Sequence, residues 1–199
     1  MTTTRNIVMQ TFTHIFKNEA SAQAYRWTNP DGSKGGVVAE SAIVDPSVII
    51  SPTAEVCSGA GIDEGVEIGD GASVGRYAFV GKYASICKGA RIGFGASVGD
   101  GASVGDGARV SDHAEIDEYA WIGAGASLGE DSRIGGHARI SYGAFIGDLA
   151  NIGKGVRIGA GASVGSDVVV GSGASIGSGV RIGNNVRIDE DAIIGSDAR

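Results

Sequence analysis

From Val44 onward the chain repeats one apolar position every six residues. Val44, Ile50, Val56 and Ile62 open the series, and Ile176, Ile182, Ile188 and Ile194 end it. All 26 positions in this phase are Val, Ile or Leu, with no insertion and no slip, and Val38 falls in the same phase. Taking this position as i, the residue at i−2 is Ala in 19 of the 26 hexads and Val in six, with Ser132 the exception. Position i+1 is Gly in 17 and position i+3 is Gly in 13; most of the other i+3 residues are Asn, Asp, Ser, His or Tyr.

The pattern dictates local structure. Small and branched apolar residues at i−2 and i flank an outward residue at i−1, which is the alternation of a strand. So short a strand must turn at once. Gly, Asn and Asp at i+3 tolerate the positive φ that a tight corner requires. Each hexad therefore predicts one strand and one corner, and stacked hexads bury their inner faces only against their neighbours.

Hexads such as Ile68–Ser73 (IGDGAS), Ile122–Ser127 (IGAGAS) and Ile176–Arg181 (IGSGVR) resemble those of the hexapeptide-repeat transferases. The resemblance runs from Val38 to Ile194. It implies an all-β, left-handed parallel β-helix, a triangular prism with three hexads per coil. Eight to nine coils then make a rod of roughly 40 Å at the usual strand spacing. It also implies a homotrimer, the usual assembly of that family.

Residues 1–37 lack the period. Thr11–Phe16 alternates as a strand, and Ala24–Thr28 reads as a strand followed by a turn at Asn29-Pro30-Asp31-Gly32. The expected division is an N-terminal cap or docking segment over 1–37 and a β-helix over 38–199. A cap is needed because a terminal coil exposes unpaired strand edges. No second cap is visible after Ile194, which leaves two expectations: the last coil makes end-to-end or larger-assembly contacts, or the chain is a fragment of a longer protein.

Composition narrows the function classes. Gly accounts for 35 of 199 residues and Pro for only 3, and the glycines are periodic rather than scattered. No apolar run reaches the length of a membrane span, so no membrane partner is expected. No signal peptide is seen, and a cytoplasmic or assembly-associated location is expected. A net charge of −7 argues against nucleic acid as a partner. Cys57 and Cys87 fall on different faces, so a disulfide is not expected.

The coil register makes the surface readable. Residues 18 apart stack, which sets Arg91 beside Arg109, Arg139 beside Arg157, and Glu115 beside Arg133. The arginine pairs could hold an anion such as phosphate. Trp121, beside Arg139, suggests a cation–π contact. His113 stacks below Asp131, next to the acidic column Asp112, Glu130 and Asp148, while His137 lies on another edge in the column of Tyr83 and Tyr119.

For acyltransferases of this fold the resemblance implies a histidine general base, often in a pattern like [IV]-x-H-D-[CA]-x-[IV]-G. The corresponding stretch here is Val110-Ser111-Asp112-His113-Ala114-Glu115-Ile116-Asp117, with the histidine one residue later, at the corner. Ile134-Gly135-Gly136-His137 shows the same displacement. No loop leaves the repeat to close over an acyl donor. A carbonic-anhydrase-like site needs three histidine ligands; of His14, His113 and His137, the last two are 24 residues apart on different edges, so they do not form a zinc site within one chain. A flat ice-binding array is not suggested by an outward column of Ser mixed with Arg, Glu and Phe. Two readings follow. The first is a non-catalytic structural or binding rod with no cofactor and no metal. The alternative is an acyl-CoA-dependent acyltransferase, with acetyl-CoA as cosubstrate and His113, Asp131 and His137 as candidate site residues in a trimer cleft.

Overall fold

A computed structural model of the chain describes residues 10–17 and 21–196. Three strands precede the repeat: β1 (Phe12–Ile15), β2 (Ser21–Thr28) and β3 (Lys34–Ala39). Twenty-six two-residue strands follow, β4 (Ile43–Val44) to β29 (Ile193–Ile194), one for each hexad. Each pairs in parallel with the strand 18 residues away, as Ile92 does with Val74 and Val110. The pairings form three flat faces. The first has eleven strands including β1–β3, and the second and third have nine each.

The core is the interior of this prism. Val and Ile at i and Ala at i−2 are buried almost throughout, from Val38 to Val180. The branched residues fill the interior and the alanines let adjoining walls close. Ser132, the odd residue in the alanine column, is fully buried, and its hydroxyl donates to the Gly129 carbonyl at 2.8 Å.

The two glycine positions have different causes. At i+3 the cause is φ: every described residue of the repeat with positive φ sits there. At i+1 it is space. A Cβ on Gly75 would lie 2.7 Å from the backbone of Gly93 in the next coil. The corners are held by a ladder in which the i+3 amide donates to the i+2 carbonyl of the coil below, as His113 does to Phe94 at 2.8 Å.

β3 crosses position 37 without a break. It pairs antiparallel with β2 and in parallel with β6 (Glu55–Val56), so the first face continues into the N-terminal strands. Tyr25 and Trp27 pack against the core, and the indole Nε1 donates to the Val48 carbonyl at 3.0 Å. The Asn29 side chain accepts from the Ile50 amide at 2.9 Å and donates to the Ile50 carbonyl, which fixes the turn after β2 on the first coil.

Candidate functional site

The three edges of the prism carry different residues. Between the third and first faces the corner residue is Gly in seven successive coils, from Gly71 to Gly179, all at positive φ. Between the first and second faces the corners are Gly59, Tyr77, Gly95, His113, Asp131, Leu149, Asp167 and Asn185. An L-residue held in the left-handed region costs about 1–2 kcal/mol. Asp and Asn tolerate it best, and a bulky aliphatic residue there is an outlier. Leu149 has φ 59° and is 57% exposed, so no core packing holds it there.

His113, Asp131 and Leu149 follow one another up this first edge and border one groove of about 530 Å³. Glu115, Arg133, Asn151 and Val169 supply its wall from the second face. Glu115 and Arg133 are register partners, as their spacing of 18 implies, and form an ion pair, Nε to Oε2 at 3.3 Å. Both side chains are mostly exposed, so the pair adds little stability. Its consequence is positional: it fixes a guanidinium and a carboxylate beside the histidine.

Every side chain of this groove is placed by the repeat. The His113 ring lies back over the corner of the coil below, so that a Cβ on Gly95 would meet Nδ1 at 2.8 Å. It packs edge-to-face on Phe94, centroids 5.2 Å apart, and Phe94 packs in turn on Tyr77 at 5.7 Å. Tyr77 covers Gly59 in the same way. Corner glycine followed 18 residues later by an aromatic ring is thus a packing device, and it orients His113 without a hydrogen bond.

The predicted residues are therefore partly brought together. His113 and Asp131 share the groove, but no hydrogen bond or ion pair joins their side chains. His137 is not part of it. It lies on the edge between the second and third faces and stacks on Tyr119, centroids 5.3 Å apart and 17° from parallel. The acidic column is largely committed to the backbone. Asp112 accepts from the Phe94 amide at 2.8 Å and Asp148 from the Glu130 amide at 3.0 Å. Trp121 and Arg139 pair in register, but among the described residues no guanidinium sits over the indole; a cation–π contact forms instead between Arg76 and the Tyr77 ring, at 5.4 Å. Cys57 and Cys87 lie on different faces and are not bridged. Among the described residues no three His, Cys, Asp or Glu side chains are grouped to hold a metal, and no helix is long and apolar enough to cross a membrane.

Sequence reasoning missed Leu149, Asn151 and Val169 as groove residues. Leu149 left a signal, since it is the one aliphatic residue at i+3 in the whole series.

The comparisons with known proteins agree with this architecture. The bacterial transferase hexapeptide family (six repeats) matches residues 150–184. UDP-N-acetylglucosamine O-acyltransferase (LpxA) from Moraxella catarrhalis RH4 superposes with a TM-score of 0.56 at 16% identity, over 79% of this chain and 66% of that one. A second UDP-N-acetylglucosamine acyltransferase structure gives 0.57 at 17% identity, over the same shares. The fold is a left-handed parallel β-helix. The chain spans slightly less than two thirds of the length of those structures. No curated protein sequence matches it. The chain thus resembles the hexapeptide-repeat transferases as a class and is not a close match to any one enzyme.

Proposed function

We propose that the chain is an acyltransferase of the hexapeptide-repeat type, with the His113 groove as its reaction site. The observation that carries this reading is the run of His113, Asp131 and Leu149 at positive φ on one edge, bordering a single groove. The fold does not need them, because seven successive glycines serve the same corner on another edge. Backbone strain retained where the fold offers an easier residue is a mark of a working site. The naming of the structures with this fold as acyltransferases supports the same class.

The chemistry assigned to the groove is general-base acyl transfer from acetyl-CoA. Histidine is the side chain suited to accept a proton near neutral pH. His113 takes the proton of an acceptor hydroxyl or amine, whose oxygen or nitrogen attacks the thioester carbonyl. Addition forms the new C–O or C–N bond and moves the carbonyl π electrons onto oxygen; as this oxyanion collapses the C–S bond breaks, and the proton passes from the imidazole to the departing thiolate. Asp131, one coil above, places a carboxylate on the same groove. Arg133, held by Glu115, offers a cation to the oxyanion. Leu149 and Val169 give the groove an apolar side. The groove is open to solvent, so we assign its closure to a second copy of the chain, in line with the expected trimer.

The test is release of CoA thiol from acetyl-CoA with a panel of sugar and amino-acid acceptors. Transfer is expected for the wild type, with a loss of about a hundredfold or more in His113→Gln, because a positioned base contributes on that scale. His137→Gln should retain transfer. Loss in His137→Gln with retention in His113→Gln would overturn the assignment. The rod reading is favoured by one observation, the repeat unbroken from Val38 to Ile194 with no extruded loop. It predicts no thiol release with any acceptor.

A further inference from the structure

A second groove, of about 410 Å³, lies on the first face, across the edge from His113. Arg76, Arg91 and Arg109 line it together with Phe94, Ser111 and Asp112. Arg91 and Arg109 are direct register partners on neighbouring parallel strands. Like charges placed opposite one another destabilise a sheet. The next residues of the column are Ser73 below and Ser127 above, so no acid adjoins the pair in its own column. Neither arginine makes an ion pair among the described residues. Asp112, the one carboxylate of the lining, has an oxygen committed to the Phe94 amide at 2.8 Å. Arg76 reaches the rim from the corner, its guanidinium 5.4 Å from the centre of the Tyr77 ring.

We propose that this arginine groove is a binding site for a small molecule carrying a diphosphate group. A guanidinium presents paired N–H donors in a planar fork that matches phosphate oxygens. Two forks one strand apart, about 4.8 Å, suit two linked phosphates better than one carboxylate. The net charge of −7 makes the concentration of cations local rather than compositional. Arg139 and Arg157 supply an internal control. They are also register partners, but neither lines this groove or the His113 groove. The proposal is independent of catalysis at His113.

The test is calorimetric titration of the full chain with inorganic pyrophosphate, phosphate and acetate at low salt. Pyrophosphate is expected to bind tightest and acetate weakest. Arg91→Gln and Arg109→Gln should each weaken pyrophosphate by about tenfold, on the scale of one charge-assisted hydrogen-bonding group. Arg139→Gln should leave it unchanged. All these side chains are exposed, and an unchanged melting curve checks that each variant is folded. Absence of pyrophosphate binding would overturn the proposal. So would equal affinity for acetate, or an equal loss in Arg139→Gln. Pyrophosphate binding that survives in His113→Gln would separate this site from the reaction assigned to the neighbouring groove.

Discussion

Two edges of one prism are built on the same backbone and carry opposite residues. Between the third and first faces the corners are bare glycine over seven coils, and a Cβ on Gly71, Gly107, Gly143 or Gly161 would meet nothing within 4 Å. Between the first and second faces, five successive corners from His113 to Asn185 carry side chains at the same positive φ. The backbone requirement is equal, so the difference is not a folding requirement. One edge uses the residue the corner prefers. The other gives up stability to carry side chains, and both grooves flank it.

The largest effect tests what the edges share. Ala at Gly147, by the edge between the first and second faces, or at Gly105, by the edge between the third and first, would place Cβ 2.5 Å from the Ser166 amide nitrogen or 2.7 Å from that of Ala124. Each should destabilise by about 3 kcal/mol, the upper range for overpacking, read as the midpoint of denaturant unfolding. A large disparity between the two would show that the edges differ in backbone as well as side chain.

A smaller effect separates them. Gly125→Leu should destabilise by about 1–2 kcal/mol, because φ is 65° there. Leu149→Gly should instead stabilise, by about 0.5–1 kcal/mol, since relief of the left-handed corner outweighs the entropy that glycine adds to the unfolded chain. If Leu149→Gly destabilised, Leu149 would be packing rather than presented, and the comparison would lose its clearest member.

The smallest effect concerns the remaining edge. Tyr83 donates to Glu64 Oε1 at 3.0 Å, and this hydrogen bond, with the negative charge of Glu64 behind it, raises the phenol above the usual tyrosine range. A raised folded-state value means the contribution is present throughout neutral pH and is lost as pH climbs through the raised value. Glu64→Gln should lower the Tyr83 midpoint in a spectrophotometric titration. An unmoved midpoint would mean that the contact does not persist in solution.

The repeat made the fold legible because every hexad restates one rule, so the sheets, the stacking partners and the buried Ala and Ile columns follow by counting. Glu115 with Arg133 and Arg91 with Arg109 could be paired in this way before any coordinates. The arginine groove itself could not, because it also depends on Arg76 and Phe94, corner residues outside the strand columns. The direction of His113 was equally hidden. Counting places it one residue late for the familiar pattern, but its ring position is set by Gly95 and Phe94 in the coil below. Leu149 was visible but unweighted, since a single leucine at a corner is informative only once φ and exposure are known.

The central claim, that the His113 edge is the working edge, has a direct test. The chain has three histidines, so imidazole resonances can be assigned singly by substitution and followed as acetyl-CoA is added. The account predicts that the His113 ring signals shift with a saturating dependence on acetyl-CoA while those of His137 stay in place. No shift at millimolar acetyl-CoA, or a shift confined to His137, would contradict it.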